Sequence, residues 1–162
     1  MSVSPPAVVT LRPATADDCR RVWDWRNDAE TRRASFDSSP IPFEAHERWF
    51  LDSLRSRTRK IYIVVAGERP SGVARLDVTG GQAAVIIHLA PESRGRGVGR
   101  RALAALEGVA FGTLGVTRLV AQVKADNAAS LAAFGRAGFT PEDAGPGAPS
   151  GAVTLVRTRG GR

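Results

Sequence analysis

Between a strand-like apolar run and an amphipathic helix the chain reads Leu89-Ala90-Pro91-Glu92-Ser93-Arg94-Gly95-Arg96-Gly97-Val98-Gly99. Gly95, Gly97 and Gly99 strip side chains from this turn, so its backbone N–H groups can close on a ligand. Helix N-termini carry free N–H groups and partial positive charge, which suits a phosphate. Arg100 and Arg101 follow in the first helical turn, where a cation opposes the helix dipole unless an anion sits there. The chemistry implied is diphosphate binding by the amides of Arg94, Gly95, Arg96, Gly97, Val98 and Gly99, with Arg100 beside them.

Other phosphate turns fit less well. A Walker turn needs Lys and Ser or Thr after its last glycine, and neither is present. The dinucleotide turn has Gly-x-Gly-x-x-Gly spacing at the first strand–helix unit, whereas these glycines alternate and lie past mid-chain. A flexible surface loop rich in Arg and Gly is the plain alternative.

The elements that must hold this turn can be traced from periodicity. Val8–Leu11 reads as a short strand ending at Arg12-Pro13. Thr15-Ala16-Asp17-Asp18 then opens a helix with a capping-box pattern, carrying Cys19, Val22 and Trp23 on one apolar face. A second helix is expected over 42–54, with Pro42 at its first position and Phe43, Phe50 and Leu54 on one side. Ile61–Val65 reads as an internal strand, and Gly67-Glu68-Arg69-Pro70 as a turn. Val73–Val78 follows as an alternating strand, and Gly80-Gly81 as a hairpin turn. Strand Gln82–Leu89 leads into the turn, and Leu103, Leu106 and Ala110 mark the helix after it. Arg118–Val123 is a further strand, and a helix follows Asn127 and closes at Gly138 with Phe139 packing back. Pro141–Gly151 reads as a mobile loop and Val153–Val156 as a last strand.

Two segments carry a family resemblance. Arg94-Gly95-Arg96-Gly97-Val98-Gly99 resembles the acyl-CoA-binding signature Gln/Arg-x-x-Gly-x-Gly/Ala of the GNAT superfamily of N-acetyltransferases. Asn127-Ala128-Ala129-Ser130-Leu131-Ala132-Ala133-Phe134-Gly135-Arg136-Ala137-Gly138-Phe139 resembles the Asn…Gly-Phe helix of the same superfamily, at the expected separation. The resemblance spans essentially the whole chain. It implies one domain over 1–162, of α/β (α+β) class, with a mixed, mostly antiparallel sheet, a splayed central strand pair and about four flanking helices. It implies acetyl-CoA as cosubstrate, with the pantetheine arm along the backbone near Leu89. The Leu89 N–H is the expected oxyanion donor, and Asn127 and Phe134 are expected cofactor contacts.

Acetyl transfer to an amine also needs a proton acceptor and a proton donor for the leaving thiolate. The positions where several relatives carry an acid or histidine are Ala83, Ala84 and Val85 here. His88 is the candidate base, since imidazole titrates in the useful range, although strict alternation puts it on the opposite face from Leu89. The tyrosine that many relatives use as acid aligns with Phe134, which has no proton to give. A catalytically silent, CoA-sensing protein is therefore the alternative from another class.

For the acceptor, Trp25-Arg26-Asn27-Asp28, Arg32-Arg33, Ser35-Phe36 and His46-x-x-Trp49-Phe50 resemble the branch that acetylates nucleotide-linked amino sugars, as in the pseudaminic-acid pathway. The resemblance implies acceptor contacts from Trp25, Asn27, Arg32, His46, Trp49 and Arg75. Protein N-termini and small amines are the other acceptors. Packing alone is the plainer reading of His46, and a strand-face pair the plainer reading of Arg75 with Asp77.

Composition bounds the rest. The 162 residues are 43% hydrophobic and carry a formal charge of +7, enough to bury a core and to attract anions. The basic residues are scattered, which makes nucleic acid a minority partner. No apolar run is long enough for a bilayer, and Met1–Thr10 lacks the pattern of a secretory signal. The single cysteine, Cys19, precludes an internal disulfide, and no Cys/His cluster has metal spacing. A cytoplasmic enzyme is expected, with a homodimer as the assembly left open.

Overall fold

The computed structural model describes residues 8–160, so the part of the Met1–Thr10 reading that falls on 1–7 lies outside the described residues. Seven strands form one sheet in the order β1-β2-β3-β4-β5-β7-β6. They are β1 (Val9–Pro13), β2 (Arg59–Ala66), β3 (Arg69–Thr79), β4 (Gln82–Leu89), β5 (Arg118–Lys124), β6 (Thr140–Glu142) and β7 (Ala152–Thr158). All neighbours are antiparallel except β4 and β5. Among the described residues five α-helices flank the sheet: α1 (Cys19–Asn27), α2 (Ala29–Ala34), α3 (Phe43–Leu54), α4 (Val98–Glu107) and α5 (Ala128–Arg136). No described helix is long and apolar enough to cross a membrane.

The apolar pattern builds a core on each face of the sheet. One joins Ala74, Leu76, Ala83 and Val85 of the central strands to Leu103 and Leu106 of α4 and to Phe139. The other joins Ile61, Ile63 and Val73 to Val22 and Trp25 of α1 and to Phe50 of α3. Fully burying a side chain such as Phe50 removes it from water at a gain of roughly 1.5–3 kcal/mol. The mixed hydrophobicity of β2 and β3 follows, because both faces are covered.

Several expected boundaries move. Six residues that read as loop, Ala29–Ala34, form α2, since the Asp28 carboxylate accepts the N–H groups of Glu30 and Thr31 and caps them. Pro42 is the N-cap of α3 rather than its first residue, with an extended ψ of 142°. The turn after β2 is only Gly67-Glu68, and Arg69 and Pro70 already pair in β3. Thr140–Glu142 pairs with β7 at the sheet edge, so the Pro141–Gly151 loop begins later than expected. On α1 the buried face is Cys19, Val22 and Trp25. Trp23 is half-buried, donates Nε1–H to the Ile41 carbonyl at 2.7 Å and packs edge-on against Phe43 at 5.3 Å.

The functionally decisive feature is the β4–β5 pair. The parallel ladder joins only Gln82–Ala84 to Arg118–Val120, and then the strands part. On its other edge β4 stays paired to β3 without a bulge, through Gly72↔Leu89. Gly72 makes this possible: a Cβ there would stand 2.6 Å from the His88 carbonyl oxygen and 3.2 Å from Leu89 Cα. Gly72→Ala is therefore expected to cost on the order of 1–3 kcal/mol, read as a lower melting temperature. Gly112→Ala, where an added Cβ meets nothing within 4 Å, is expected to leave it nearly unchanged; equal melting temperatures would show that Gly72 is not required.

Candidate functional site

The splay leaves one edge of β4 without a partner strand. Ala90 N–H donates to the Ser71 carbonyl, and in an antiparallel ladder such bonds recur at every second residue. The N–H groups of His88, Ile86 and Ala84 therefore point to β3, whereas those of Ile87 and Leu89 point into the gap toward β5. Side chains alternate the other way: Leu89 and Ile87 join the α4 core, and His88 faces the α1 and α3 side.

Beyond β4 a short 3-10 turn, Pro91–Ser93, leads into the glycine turn. Gly95 and Gly97 have φ of 73° and 77°, a left-handed conformation that costs other residues about 1–2 kcal/mol. An added Cβ at either would meet nothing within 4 Å, so backbone conformation and not crowding demands glycine. Gly97 caps α4. Among the described residues the N–H groups of Gly95 through Arg100 find no backbone acceptor. Such a run of unpaired amides at a helix start has the donors and the partial positive charge that suit an anion.

The gap and the turn merge into one cleft of about 440 Å³. Gly95, Gly97, Gly99 and Arg100 line one end, Ile87, His88 and Leu89 the floor, and Asn127, Ser130 and Phe134 the α5 wall. Asn127 Oδ1 accepts the Ser130 N–H at 3.1 Å, which is the N-cap role. Phe134 stacks edge-on against Phe139, with centroids 5.0 Å apart.

Of the expected amide donors, Arg94 is already engaged, its N–H donating to the Pro91 carbonyl at 3.4 Å, and three side chains of the turn lie away from the run of open amides. The Arg94 guanidinium is taken by α2, bonding Asp28 at 2.7 Å, Glu30 at 2.8 Å and Thr31 Oγ1 at 2.9 Å. That hydrogen bond holds the Asp28 carboxyl below its usual range, and the bridge ties α2 to the glycine turn. Arg96 opens onto a separate cavity of about 340 Å³ with Arg69, Glu92 and Arg101. The Val98 side chain is buried in the α4 core, which leaves only its amide for the turn.

Of the expected acceptor contacts, four have internal duties. Trp25 is in the α1 core. Asn27 exchanges hydrogen bonds with the Ile41 backbone at 2.8 and 2.9 Å. Arg32 donates to the Asn27 and Ser38 carbonyls. His46 is buried, within 3.1 Å of the Cys19 carbonyl and stacked on Phe50. Trp49 and Arg75 instead share the His88 side of the sheet, with the Arg75 guanidinium 5.2 Å from the indole centroid. Arg26 and Arg59 join them there at 4.9 and 5.3 Å. Neither was singled out for this role in the sequence, because a lone arginine in a helix or at a strand start reads as solvated surface.

His88 is not the near-neutral base that an ordinary imidazole would be. Burial, then the positive charges of Arg26, Arg75 and Arg94, push its pKa down to about 4. At pH 7 the ring is neutral, with one N–H and one nitrogen able to accept a hydrogen bond. Cys19 lies in the α1 core, outside the residues that line the cleft, with its thiol pushed up by burial and by Glu47.

With this geometry in view, the chain can be set beside known proteins. Residues 9–140 match the acetyltransferase (GNAT) domain family, so the chain belongs to that family and is an acyltransferase. Solved structures with the same fold include spermidine N-acetyltransferase from Vibrio cholerae in complex with CoA and spermine. It is 18% identical, at a TM-score of 0.85 over 94% of this chain and 96% of that one. Aminoglycoside acetyltransferase AAC(6′)-Ib with paromomycin and acetyl-CoA aligns at a TM-score of 0.83, with 23% identity and 94% of both chains covered. No curated protein matches the sequence significantly.

Two outcomes test the site. Gly97→Glu adds a carboxylate and a left-handed side chain at the anion turn and is expected to abolish acetyl-CoA binding in calorimetry; unchanged affinity would remove the turn from the site. For His88, the folded pKa lies below the ordinary value of 6.5, so the unfolded chain binds more protons between the two. Stability is full above pH 6.5 and falls on acidification toward pH 4, by up to about 3 kcal/mol from this group. His88→Gln is expected to flatten that part of the pH–stability curve, and a curve parallel to wild type would contradict the assigned environment.

Proposed function

We propose that residues 1–162 act as one domain that moves an acetyl group from acetyl-CoA to a primary amine by direct attack. The observation that carries this reading is the unpaired N–H edge of β4 running into the unpaired N–H groups of the glycine turn. The amides of Gly95 to Arg100 would hold the diphosphate, and the Ile87 and Leu89 N–H groups would hold the acyl-pantetheine end. Bound there, acetyl-CoA supplies an activated thioester. The Leu89 N–H then stabilises the carbonyl oxygen as it takes negative charge. His88, neutral and facing the acceptor side, accepts a hydrogen bond from the amine and orients it, leaving solvent to take the proton from the ammonium form. Burial of Cys19 outside the cleft argues against an acetylated-cysteine intermediate.

The spermidine and aminoglycoside enzymes of the same fold act on polycationic amines. The narrower expectation, an amino sugar carried on a nucleotide, loses the side chains of Asn27 and Arg32 to internal bonds. It keeps support from the positive potential around Trp49, because such a sugar is anionic. The reading also places the enzyme in the cytoplasm, where its cosubstrate is made available.

Thiol release from acetyl-CoA should depend on added amine, with a rate that rises with the amine's own deprotonation and no inflection near pH 6.5. Phe134→Tyr places a phenol on the α5 wall, and a faster chemical step in single turnover is expected if thiolate departure limits the rate. Binding of acetyl-CoA with no amine-dependent thiol release across nucleotide amino sugars, N-terminal peptides and small amines would replace this reading with the sensor.

A further inference from the structure

The face of the sheet that carries His88 concentrates positive charge without enough negative charge to balance it. Arg26 from α1, Arg59 from β2 and Arg75 from β3 converge on the Trp49 indole at 4.9, 5.3 and 5.2 Å. One carboxylate, Asp77, serves two of them, at 3.1 Å from Arg59 and 3.2 Å from Arg75. Arg26 has no carboxylate partner among the described residues; burial first, and then the charges of Arg75 and Arg59, lower its pKa. The Arg75 Nε–H is buried with no hydrogen-bond acceptor. A guanidinium taken from water is costly unless an anion and hydrogen bonds replace the hydration, so this arrangement suits an oxyanion.

Its position relative to the cleft is set by the β3–β4 register. His88 pairs with Val73 and Ile86 with Arg75, which makes His88 and Arg75 diagonal neighbours on one face, a separation of roughly 7–8 Å between such positions. His88 also lines the cleft beside Leu89.

We infer that Arg26 and Arg75, backed by Trp49, form an anion subsite for the acceptor, which is an amine bearing a carboxylate or phosphate a few bonds from its reactive nitrogen. The inference rests on the acetyltransferase reading for the direction from which the amine arrives. It separates this chain's acceptor from the polycations named for the structures of the same fold. Planar guanidinium pairs suit either oxyanion through paired N–H donors, and an amine with two or more further positive charges meets repulsion there.

The test uses the full chain saturated with CoA, so that added anions do not enter the glycine turn. Calorimetry compares O-phosphoethanolamine with ethanolamine, γ-aminobutyrate with butylamine, and each with spermidine; thiol release from acetyl-CoA is followed in parallel. The expected result is at least tenfold tighter binding of an anionic amine than of its neutral counterpart, with the phosphate and carboxylate pairs showing which oxyanion is preferred. Arg26→Met and Arg75→Met are expected to erase that preference while CoA affinity stays within twofold, and Arg26→Glu to shift the preference toward spermidine. Equal binding of anionic and neutral amines, tighter binding of spermidine by the wild type, or a preference that survives both methionine variants would overturn the subsite. An arginine-dependent preference without thiol release would uphold the subsite and overturn only the catalytic reading.

Discussion

The structure depends on backbone N–H groups that the fold leaves without acceptors. A sheet ordinarily satisfies both edges of its inner strands. Here β4 is paired along its full length on one side and for only three residues on the other. The amides that the divergence exposes, at Ile87 and Leu89, lie a few residues before a helix start whose own amides are also open. Leaving so many donors unpaired in a cleft costs free energy, and a ligand rich in carbonyl and phosphoryl oxygens offsets that cost. The glycines of the turn and the close contact of Gly72 against β4 both serve to hold this run of backbone in place.

The α2 helix extends the same logic to the other wall. Its N-terminus, capped by Asp28, shares Arg94 with the glycine turn through Glu30 and Thr31. The Arg94–Asp28 pair is half-buried, so it fixes geometry more firmly than an exposed bridge worth about 0–1 kcal/mol, whereas Glu30 is largely exposed. Helix α2, which lines the cleft through Glu30 and Thr31, is thereby tied to the glycine turn. Along β4 the odd-numbered amides beyond Ala84 face the gap toward β5, and the even-numbered side chains face the arginines around Trp49.

Much of this was legible in the sequence because it is written in local signals. The glycine turn, the strand before it and the Asn127 helix each carry patterns that neighbours in the chain determine. β4 was read with its observed boundaries, and Gly138 sits in the left-handed conformation expected of a helix cap, at φ 95°. The losses occurred where tertiary contacts decide. The Arg94 amide reads as a phosphate donor until the Pro91 carbonyl is seen to take it, and its side chain is held by Asp28 and Glu30, more than 60 residues away. Asn27 and His46 look like polar site residues until Ile41 and Cys19 are seen to take their hydrogen bonds. Alternation puts His88 on the face opposite Leu89, yet its low pKa comes first from burial and then from three arginines on separate elements, which no local pattern shows. Arg59 has no pattern to mark it, and Arg26 is visible only as one member of the Trp25-Arg26-Asn27-Asp28 string, since convergence on one indole exists only after folding.

The central claim is that the open amides of β4 and the glycine turn are the cofactor's docking surface. Amide hydrogen exchange with and without acetyl-CoA measures those groups directly. The account predicts strong slowing at Ile87, Leu89 and Gly95 to Arg100, with little change at Ile86 and His88, whose amides already bond to β3. Unaltered exchange across Gly95–Arg100 at saturating acetyl-CoA would contradict it.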